Sequence, residues 1–414
     1  MLDDTLLDDP AALQRADHDR ALLALAGAGA RVRTALRQAE AAGLDRLRPD
    51  GRPRAVVVAG HGSALTAGEI LAALAGTASL VTPLPPTEAV APRSDRAGTP
   101  AAFTAGLGWQ LPGWAGPLDL LVISSADGGE QGLISLAEQA YARGCAIVVT
   151  APAGSPLAEA ALQVRALPLP YTASVLPDEG LPAVPAAEPD LPPEDPAALW
   201  SHLTPMLALA QKLGLTQLPY DALSAVADLL DAAAVRCRPD AAAYTNPAKG
   251  LAARLAGTVP LLWAEGPIAG AAGVRFAAQL ADRAGRPALA GPLPQVLTAH
   301  RGMFTGQLGA GADPDDFFRD RVEEPDPLHL QVLLLRHVPG TGSAEEQDGP
   351  AEVPEGDERP RSFGVGRAHR LAAAHDVRLT EYASTLADPL QALADLIALT
   401  DFAAVYLGLA AAQS

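Results

Sequence analysis

Short runs of apolar residues alternate along this chain with longer segments in which apolar residues recur every three or four positions. The clearest run, Ala55–Ala59, is rich in valine and typical of a parallel strand buried on both faces. Residues 60–63 predict a tight turn, and a helix follows with Thr66 as a candidate N-cap and Glu69 three residues later. The free backbone N–H groups and the positive dipole end of such a helix start favour binding of an anion such as a phosphate. The alternative is that the glycines serve only close packing of the strand against the helix.

The same order recurs further along the first half. The predicted elements are strands at 78–82 and 118–123, a small-residue turn at 124–129, a helix at 133–143, and strands at 146–150 and 162–167. Strands that alternate with helices of about ten residues predict a doubly wound, flavodoxin-like parallel sheet of the α/β class. Ligands of such sheets bind beyond the carboxyl ends of the strands, where both turns fall.

The second half repeats this pattern. Its predicted elements are helices at 197–213, 220–234 and 270–283, strands at 259–263, 328–337 and 377–382, and a closing apolar helix at 389–411. The domain prediction is an N-terminal helical segment at 1–48, a first subdomain at 49–170, a proline-rich linker at 171–196 and a second subdomain at 197–414. Residues 339–361 are rich in glycine, proline and acids, which predicts a flexible loop inside the second subdomain.

Composition narrows the classes of partner. The net charge of −18 argues against nucleic acid and anionic membrane surfaces, since both attract concentrated positive charge. Cys145 and Cys237 are too few for a disulfide framework, which fits a reducing cytoplasm. The first residues lack the order of a signal peptide, and no uncharged apolar stretch is long enough to span a bilayer. We therefore expect a soluble, cytoplasmic protein.

The sequence lacks the complete motifs of several known binding and catalytic sites. The nucleotide P-loop and the dinucleotide fingerprint are incomplete after Ala59, and Ser124 and Ser125 lack the Gly-x-Ser-x-Gly context of a serine nucleophile. The histidines lack the spacing of a metal set, so neither a metal nor a cofactor is expected.

Two stretches carry a family resemblance. Residues 55–75 and 122–151 resemble the sugar isomerase (SIS) domain, and the whole chain resembles the bifunctional phosphoglucose/phosphomannose isomerase family. The further matching segments are 246–252 (Asn-Pro-Ala-Lys-Gly-Leu-Ala), 259–263, 275–287 and 396–407. The resemblance implies two SIS-type subdomains, each a parallel sheet flanked by helices, an aldose–ketose isomerisation of glucose or mannose 6-phosphate, and a homodimer.

The resemblance also implies a site. Its substrate-binding residues would be those of the two turns: Gly60, His61, Gly62, Ser63, Ser124, Ser125 and Gly128. Four positions differ from the family pattern: Ala64, Ala126 and Gly129 replace hydroxyl residues, and Asp127 replaces a glycine. Asp127 and Glu130 add negative charge where a dianion is expected, which opposes phosphate binding. His61 is expected either to touch a ligand or to cap the helix.

The candidate catalytic residues are His300 and Glu265. His300 matches a family histidine that follows the base glutamate, but residues 295–299 contain no acid. Glu265, at the carboxyl end of a predicted strand, is the substitute base or simply an exposed acid. The family's C-terminal lysine also has no counterpart.

Two functional classes follow. The first is a phosphosugar isomerase-like protein that binds a sugar phosphate with weak or lost catalysis. The second is a non-catalytic SIS-fold protein that binds a metabolite or acts within a complex. The closing helix offers more apolar surface than one face of a single subunit would use. This excess also favours the homodimer.

Overall fold

The computed structural model describes residues 4–46, 51–89, 106–173, 194–305, 328–340, 350–352 and 362–411. Packing divides the chain into two units, which we call the N-unit (Gly27–Asp231) and the C-unit (Met1–Ala26 with Ala232–Ser414). The predicted boundaries differ from these. The helix expected at 197–213 lies in the N-unit, and the first residues of the chain lie in the C-unit.

The helices in chain order are α1 (Asp4–Leu7), α2 (Pro10–Ala16), α3 (Ala21–Ala26), α4 (Ala28–Ala41), α5 (Ser63–Ala75), α6 (Gln131–Ala142), α7 (Pro156–Gln163), α8 (Ala198–Lys212), α9 (Ala222–Arg236), α10 (Pro247–Leu255), α11 (Gly266–Ala284), α12 (Val296–Ala299), α13 (Phe363–Ala374) and α14 (Pro389–Ala411). The strands are β1 (Ala55–Ala59), β2 (Leu80–Leu84), β3 (Glu88–Ala89), β4 (Leu107–Gly108), β5 (Leu120–Ser124), β6 (Ala146–Ala151), β7 (Leu167–Pro170), β8 (Thr258–Glu265), β9 (Leu289–Pro292), β10 (His329–His337), β11 (Ala351–Glu352) and β12 (Arg378–Ser384). Single 3-10 turns lie at Leu44–Arg46 and Arg301–Thr305.

The N-unit is built on a parallel sheet with strand order β2-β1-β5-β6-β7. Every residue of β1 and β5 is buried, as their uninterrupted apolar sequences predict. Alternate residues of β1, β5 and β6 pack with α6 and α7 in one apolar core, which contains Val57, Leu121 and Leu133. Helix α8 packs on α4 and on α5, and it reaches the sheet through a hydrogen bond with Ser124.

The C-unit is built on a second sheet with strand order β11-β12-β10-β8-β9. Its four longer strands are parallel, and the two-residue β11 joins β12 in the antiparallel direction. One face packs with α12 and α13 around Trp263, Val296 and Val365, whereas α11 and α14 contact the sheet and each other. Two parallel sheets flanked by helices confirm the predicted fold class.

Several local predictions were wrong in detail. Helix α5 begins at Ser63 with Gly62 as its N-cap and no side-chain capping bond, so Thr66 and Glu69 do not form the expected capping box. The last strand of the first sheet begins at Leu167, because Leu162 belongs to α7, which ends at Gln163. Strand β2 continues through Pro83, which an edge strand tolerates because one side of its backbone needs no ladder partner.

Two predicted irregular segments lie largely outside the described residues. Of the linker at 171–196, the structure describes 171–173 and 194–196. Of the loop at 339–361, it describes 339–340 and 350–352, and the latter includes β11.

Helix α14 occupies the centre of the C-unit. Most of its residues are buried, and it packs against α3, α10, α11 and β12. By length and composition it could cross a membrane, but its apolar surface is largely covered inside the C-unit, as in the core helix of a soluble protein. The apolar surface that favoured a homodimer is therefore used within one chain, and the homodimer stays a prediction without this support.

A buried ion pair ties α11 to α14. Arg275 donates from Nε to both carboxylate oxygens of Asp401 at 3.0 Å and from Nη2 to Oδ2 at 2.7 Å. Both side chains are almost fully buried, at 2% and 3% exposure. Removing one member of such a pair leaves an uncompensated charge in the core.

We expect Asp401→Ala to lower the free energy of unfolding by about 3–5 kcal/mol, because the guanidinium of Arg275 stays buried after its carboxylate is removed. Chemical denaturation of the variant and the parent measures the difference. Asp240→Ala, which removes an exposed carboxylate paired with Arg238, serves as the control with an expected loss of at most about 1 kcal/mol. Equal losses in the two variants would contradict the structural role of the buried pair.

Candidate functional site

The carboxyl edge of the N-unit sheet brings the two predicted turns together. Strands β1 and β5 are neighbours, so the turn after Ala59 and the turn after Ser124 begin side by side. At Gly60 an added Cβ would lie 2.7 Å from the Cβ of Ala64 and 2.9 Å from the carbonyl oxygen of Ser124. Glycine is therefore required here by close packing of strand, helix and neighbouring turn.

A carboxylate of the chain lies at the amino terminus of α5. Glu194 accepts hydrogen bonds from the backbone N–H of Ser63 at 2.9 and 3.1 Å and from the Ser63 hydroxyl at 2.8 Å. Gly62 has φ of +54°, and a Cβ on it would lie 2.9 Å from Oε1 of Glu194. The helix start predicted to favour a phosphate is thus bound by an internal anion.

The backbone around Glu194 is anchored to the rest of the N-unit. Its neighbour Asp195 accepts a 2.5 Å hydrogen bond from Nη1 of Arg31, a buried residue of α4. Asp195 also accepts from the N–H of Ala197 through its carboxylate, and from that of Ala198 through its carbonyl oxygen. These contacts hold the short segment before α8 in place next to α5.

The second turn is organised by a buried glutamate. Ser125 donates its hydroxyl to the carboxylate of Glu130 at 2.8 Å and accepts from the N–H of Gly128 at 2.7 Å and of Asp127 at 3.1 Å. The same carboxylate is 3.1 Å from Nε2 of His61. Ser125 therefore closes its own turn, and His61 pairs with an acid of the neighbouring turn.

Ser124 has a different partner. Its hydroxyl lies 2.7 Å from Nδ1 of His202 on α8, and both side chains are buried. The ring of His202 lies 4.8 Å from that of Tyr171. Burial lowers the pKa of His202 to about 3, so the imidazole is neutral at physiological pH. Its location inside the fold is that of a hydrogen-bonded core histidine.

The pKa of His61 is shifted in the opposite direction to that of His202. Burial alone would lower its pKa, but the hydrogen bond and charge of Glu130, together with the charges of Glu194 and Asp127, raise it above 6.5. The pKa of Glu130 is lowered: its burial acts in the other direction and is outweighed by the hydrogen bonds from His61 and Ser125. The two residues form a charged pair at this edge.

In the C-unit, His300 is bound to the sheet through Trp263. The indole Nε1–H of Trp263 donates to Nδ1 of His300 at 3.0 Å. Burial lowers the pKa of His300, which favours the neutral ring with its proton on Nε2. Because Trp263 and Glu265 are two residues apart on β8, their side chains point to the same face of the sheet. The structure thus brings both candidate catalytic residues to one face.

Glu265 is part of a chain of charges on that face. Arg336 of β10 donates from Nε to Glu265 at 2.6 Å and from Nη1 to Glu381 at 2.6 Å. Nε2 of His369 on α13 lies 3.1 Å from the other oxygen of Glu381. The parallel register of β8 and β10 pairs Arg336 directly with Glu265. Nothing in the sequence pattern connects Arg336, Glu381 or His369 with the site.

Among the described residues, no group of three or more histidine, cysteine, aspartate or glutamate side chains has the arrangement needed to hold a metal ion.

Comparison with known proteins bears on the fold of the chain. Residues 244–337 match the model of the bacterial phospho-glucose isomerase C-terminal SIS domain. No curated protein sequence matches the chain significantly. The fold is of the SIS type.

Three solved structures illustrate the likeness. A hypothetical protein from Thermus thermophilus has a TM-score of 0.57 at 15% identity, covering 98% of this chain and 89% of that one. A proposed phosphosugar isomerase from Clostridium difficile has a TM-score of 0.55 at 10% identity, covering 94% and 91%. The C-terminal domain of glucosamine-fructose-6-phosphate aminotransferase from Francisella tularensis has a TM-score of 0.53 at 8% identity, covering 95% and 96%. At these identities the likeness shows the fold.

The His61–Glu130 pair of this SIS-type chain yields a pH prediction. Because the folded-state pKa of His61 lies above 6.5, the pair stabilises the fold most below that pH, and this contribution is lost as the pH rises through the raised pKa. NMR titration should therefore place the His61 pKa above 6.5 in the parent. Glu130→Gln should lower it, because burial and the charges of Glu194 and Asp127 remain while the carboxylate that binds the ring is removed.

His202 provides the internal control in the same spectra, since its ring should stay neutral from pH 5 to pH 8 on account of a pKa of about 3. A His61 pKa that does not respond to the loss of the Glu130 charge would contradict the pairing.

Proposed function

We propose that this chain is a phosphosugar isomerase-like SIS protein that binds a sugar phosphate or a related small molecule and has little or no isomerase activity. The observation that supports little or no isomerase activity is the position of Glu265. It is the candidate base, and Arg336 holds its Oε2 at 2.6 Å within a chain of charges. Residues 295–299, where the resembling family has its base, contain no acid.

Moving a carbonyl between the first two carbons of a sugar requires a base that reaches both carbons. Glu265 has its Oε2 bound to Arg336, which lies between it and Glu381. A carboxylate held at one oxygen by an almost buried guanidinium is constrained in position rather than free to move between two carbons. Glu265 therefore serves better to position Arg336 than to carry a proton.

His300 supports the binding part of the proposal. Its Nδ1 accepts from Trp263, so the neutral ring presents an N–H donor at Nε2. A neutral donor of this kind suits a sugar hydroxyl or ring oxygen. The ring is half-buried, which leaves part of it accessible.

The alternative is a SIS-fold protein without catalysis that binds another metabolite or acts within a complex. Glu194 favours it, because this carboxylate lies where a phosphate-binding helix start would need to be vacant. A homodimer and a cytoplasmic location stay proposals; the buried free thiols of Cys145 and Cys237 are compatible with a reducing compartment.

A coupled assay that follows fructose 6-phosphate formation from mannose 6-phosphate and from glucose 6-phosphate tests the proposal. Losing a positioned proton carrier costs about 10²- to 10⁴-fold. We therefore expect turnover below about 0.1 per second, against a typical enzyme value of about 10 per second. Turnover near the typical value would overturn the proposal.

Glu265→Gln measured in the same assay shows whether Glu265 carries whatever activity is found. A further loss of about 100-fold would assign it the role of base. An unchanged residual rate would support its structural role beside Arg336. Glu69→Gln, on the exposed side of α5, is the control for loss of one negative charge.

A further inference from the structure

The amino edge of the N-unit sheet, where its strands begin, lies opposite the edge that carries the two turns. Six large apolar side chains of the described N-unit are exposed, and five of them lie along this edge: Leu80, Trp114, Leu118, Tyr141 and Leu162. Four arginines lie among them: Arg52, Arg54, Arg143 and Arg165. We infer that these nine residues, the amino-edge surface, bind an acidic segment of a partner protein. The inference goes beyond the proposed function, because it concerns the edge opposite the candidate ligand site.

Sheet topology puts these residues in one row. Leu80 is the first residue of β2, and Arg54 directly precedes β1. Leu118 lies two residues before β5, whereas Tyr141 and Leu162 lie in the last turns of α6 and α7, which lead into β6 and β7. With the strand order β2-β1-β5-β6-β7 and strands about 4.8 Å apart, the row is about 19 Å long. A surface of this length can contact about six residues of an extended chain.

The loop before β5 is held in place by the neighbouring elements. Arg54 donates from its backbone N–H to the carbonyl oxygen of Leu118 at 2.8 Å, and from Nη2 to that of Trp114 at 2.8 Å. Arg143, which follows α6, donates from Nη1 to the carbonyl oxygen of Pro112 at 2.7 Å. The backbone is therefore fixed while the side chains of Trp114 and Leu118 stay exposed, at 47% and 69%. Apolar side chains on a fixed backbone lose little conformational freedom when a partner covers them.

The row carries positive charge, although the whole chain has 48 acidic and only 30 lysine and arginine side chains. Arg54 is paired with the buried Asp119, whose Oδ2 lies 2.5 Å from Nη2. Within the part of the chain that the structure describes, Arg52, Arg143 and Arg165 form no ion pair. Arg143 and Arg165 follow the carboxyl ends of α6 and α7, where a cation suits the helix dipole, but this does not account for Arg52. The amino-edge surface therefore offers positive charge to a partner.

An acidic protein segment fits this surface better than other occupants do. Its carboxylates would pair with the arginines, and its apolar side chains would cover Trp114 and the leucines. Tryptophan, tyrosine and arginine are also the residue types that most often dominate the binding energy of protein interfaces. A second copy that bound through the same surface about a two-fold axis would bring arginines towards arginines. The net charge of −18 opposes nucleic acid, and the leucines offer no partner to phosphates.

The experiment is a selection on the immobilised full chain from a random library of phage-displayed peptides of about twelve residues, which exceed the length of the row. The most enriched peptides are synthesised and titrated by fluorescence anisotropy. We expect them to carry net negative charge together with leucine or aromatic residues. Trp114→Ala should weaken their binding about tenfold, since truncation of an interface tryptophan is among the costliest changes. Arg143→Glu combined with Arg165→Glu should weaken it at least about tenfold, because like charges would then face each other.

Two matched controls lie in the C-unit. Arg367→Glu with Arg370→Glu reverses the same number of charges on α13, and Phe363→Ala removes an exposed aromatic ring from that helix. Both controls should bind the peptides within about twofold of the parent, because they lie outside the proposed contact. Leu118→Ser repeats the apolar test if thermal unfolding shows that Trp114→Ala does not fold.

The inference fails if no peptide depends on both Trp114 and the two arginines, if the peptides that do are not acidic, or if the C-unit controls lose as much affinity. It also fails if sedimentation shows self-association that Trp114→Ala abolishes, because the surface would then face a second copy. Binding of a uridine oligonucleotide that the two charge reversals abolish would assign the surface to nucleic acid and overturn the inference as well.

Discussion

Parallel pairing of buried strands is the constraint on which the rest of this structure depends. In each sheet the longer strands run in one direction, so the turns that follow them collect at a single edge. Strands β1 and β5 are adjacent, which puts the turn after Ala59 beside the turn after Ser124. Strands β8 and β10 are adjacent, which puts Glu265 beside Arg336. The backbone hydrogen bonds between parallel strands therefore place the polar residues of each unit at the carboxyl edge of its sheet.

Carboxylates at these edges are satisfied from within the chain. Glu194 takes donors from Ser63, Glu130 takes them from Ser125 and His61, and Glu265 and Glu381 share Arg336. A buried or half-buried carboxylate needs such partners, because desolvation of an unpaired charge is costly. The same bonds that stabilise these acids also reduce what they can offer to a ligand. This is the physical reason for proposing a SIS-type protein with little catalysis.

The stability of the C-unit depends on a different arrangement. Helix α14 is apolar on all sides and packs against α3, α10 and α11, so it acts as the centre around which this unit assembles. Two of its polar residues have buried partners: Asp401 pairs with Arg275, and Tyr406 donates to the carbonyl oxygen of Cys237 at 2.6 Å. The sequence 389–411 alone could not distinguish a core helix from a surface for a second subunit.

The sequence by itself determined the fold class and the positions of the two turns at the carboxyl edge of the first sheet. Valine-rich runs such as Ala55–Ala59 can be stable only where both faces are buried, and their order with helical segments leads to parallel sheets. The predicted bounds of α14 agree with the structure, as do the two turns after β1 and β5. Only the tertiary structure decided which groups meet there. Glu194 and Ser63, Ser124 and His202, and Glu265 and Arg336 are between 71 and 131 residues apart. No local propensity encodes such pairs, because they arise from how helices and strands pack.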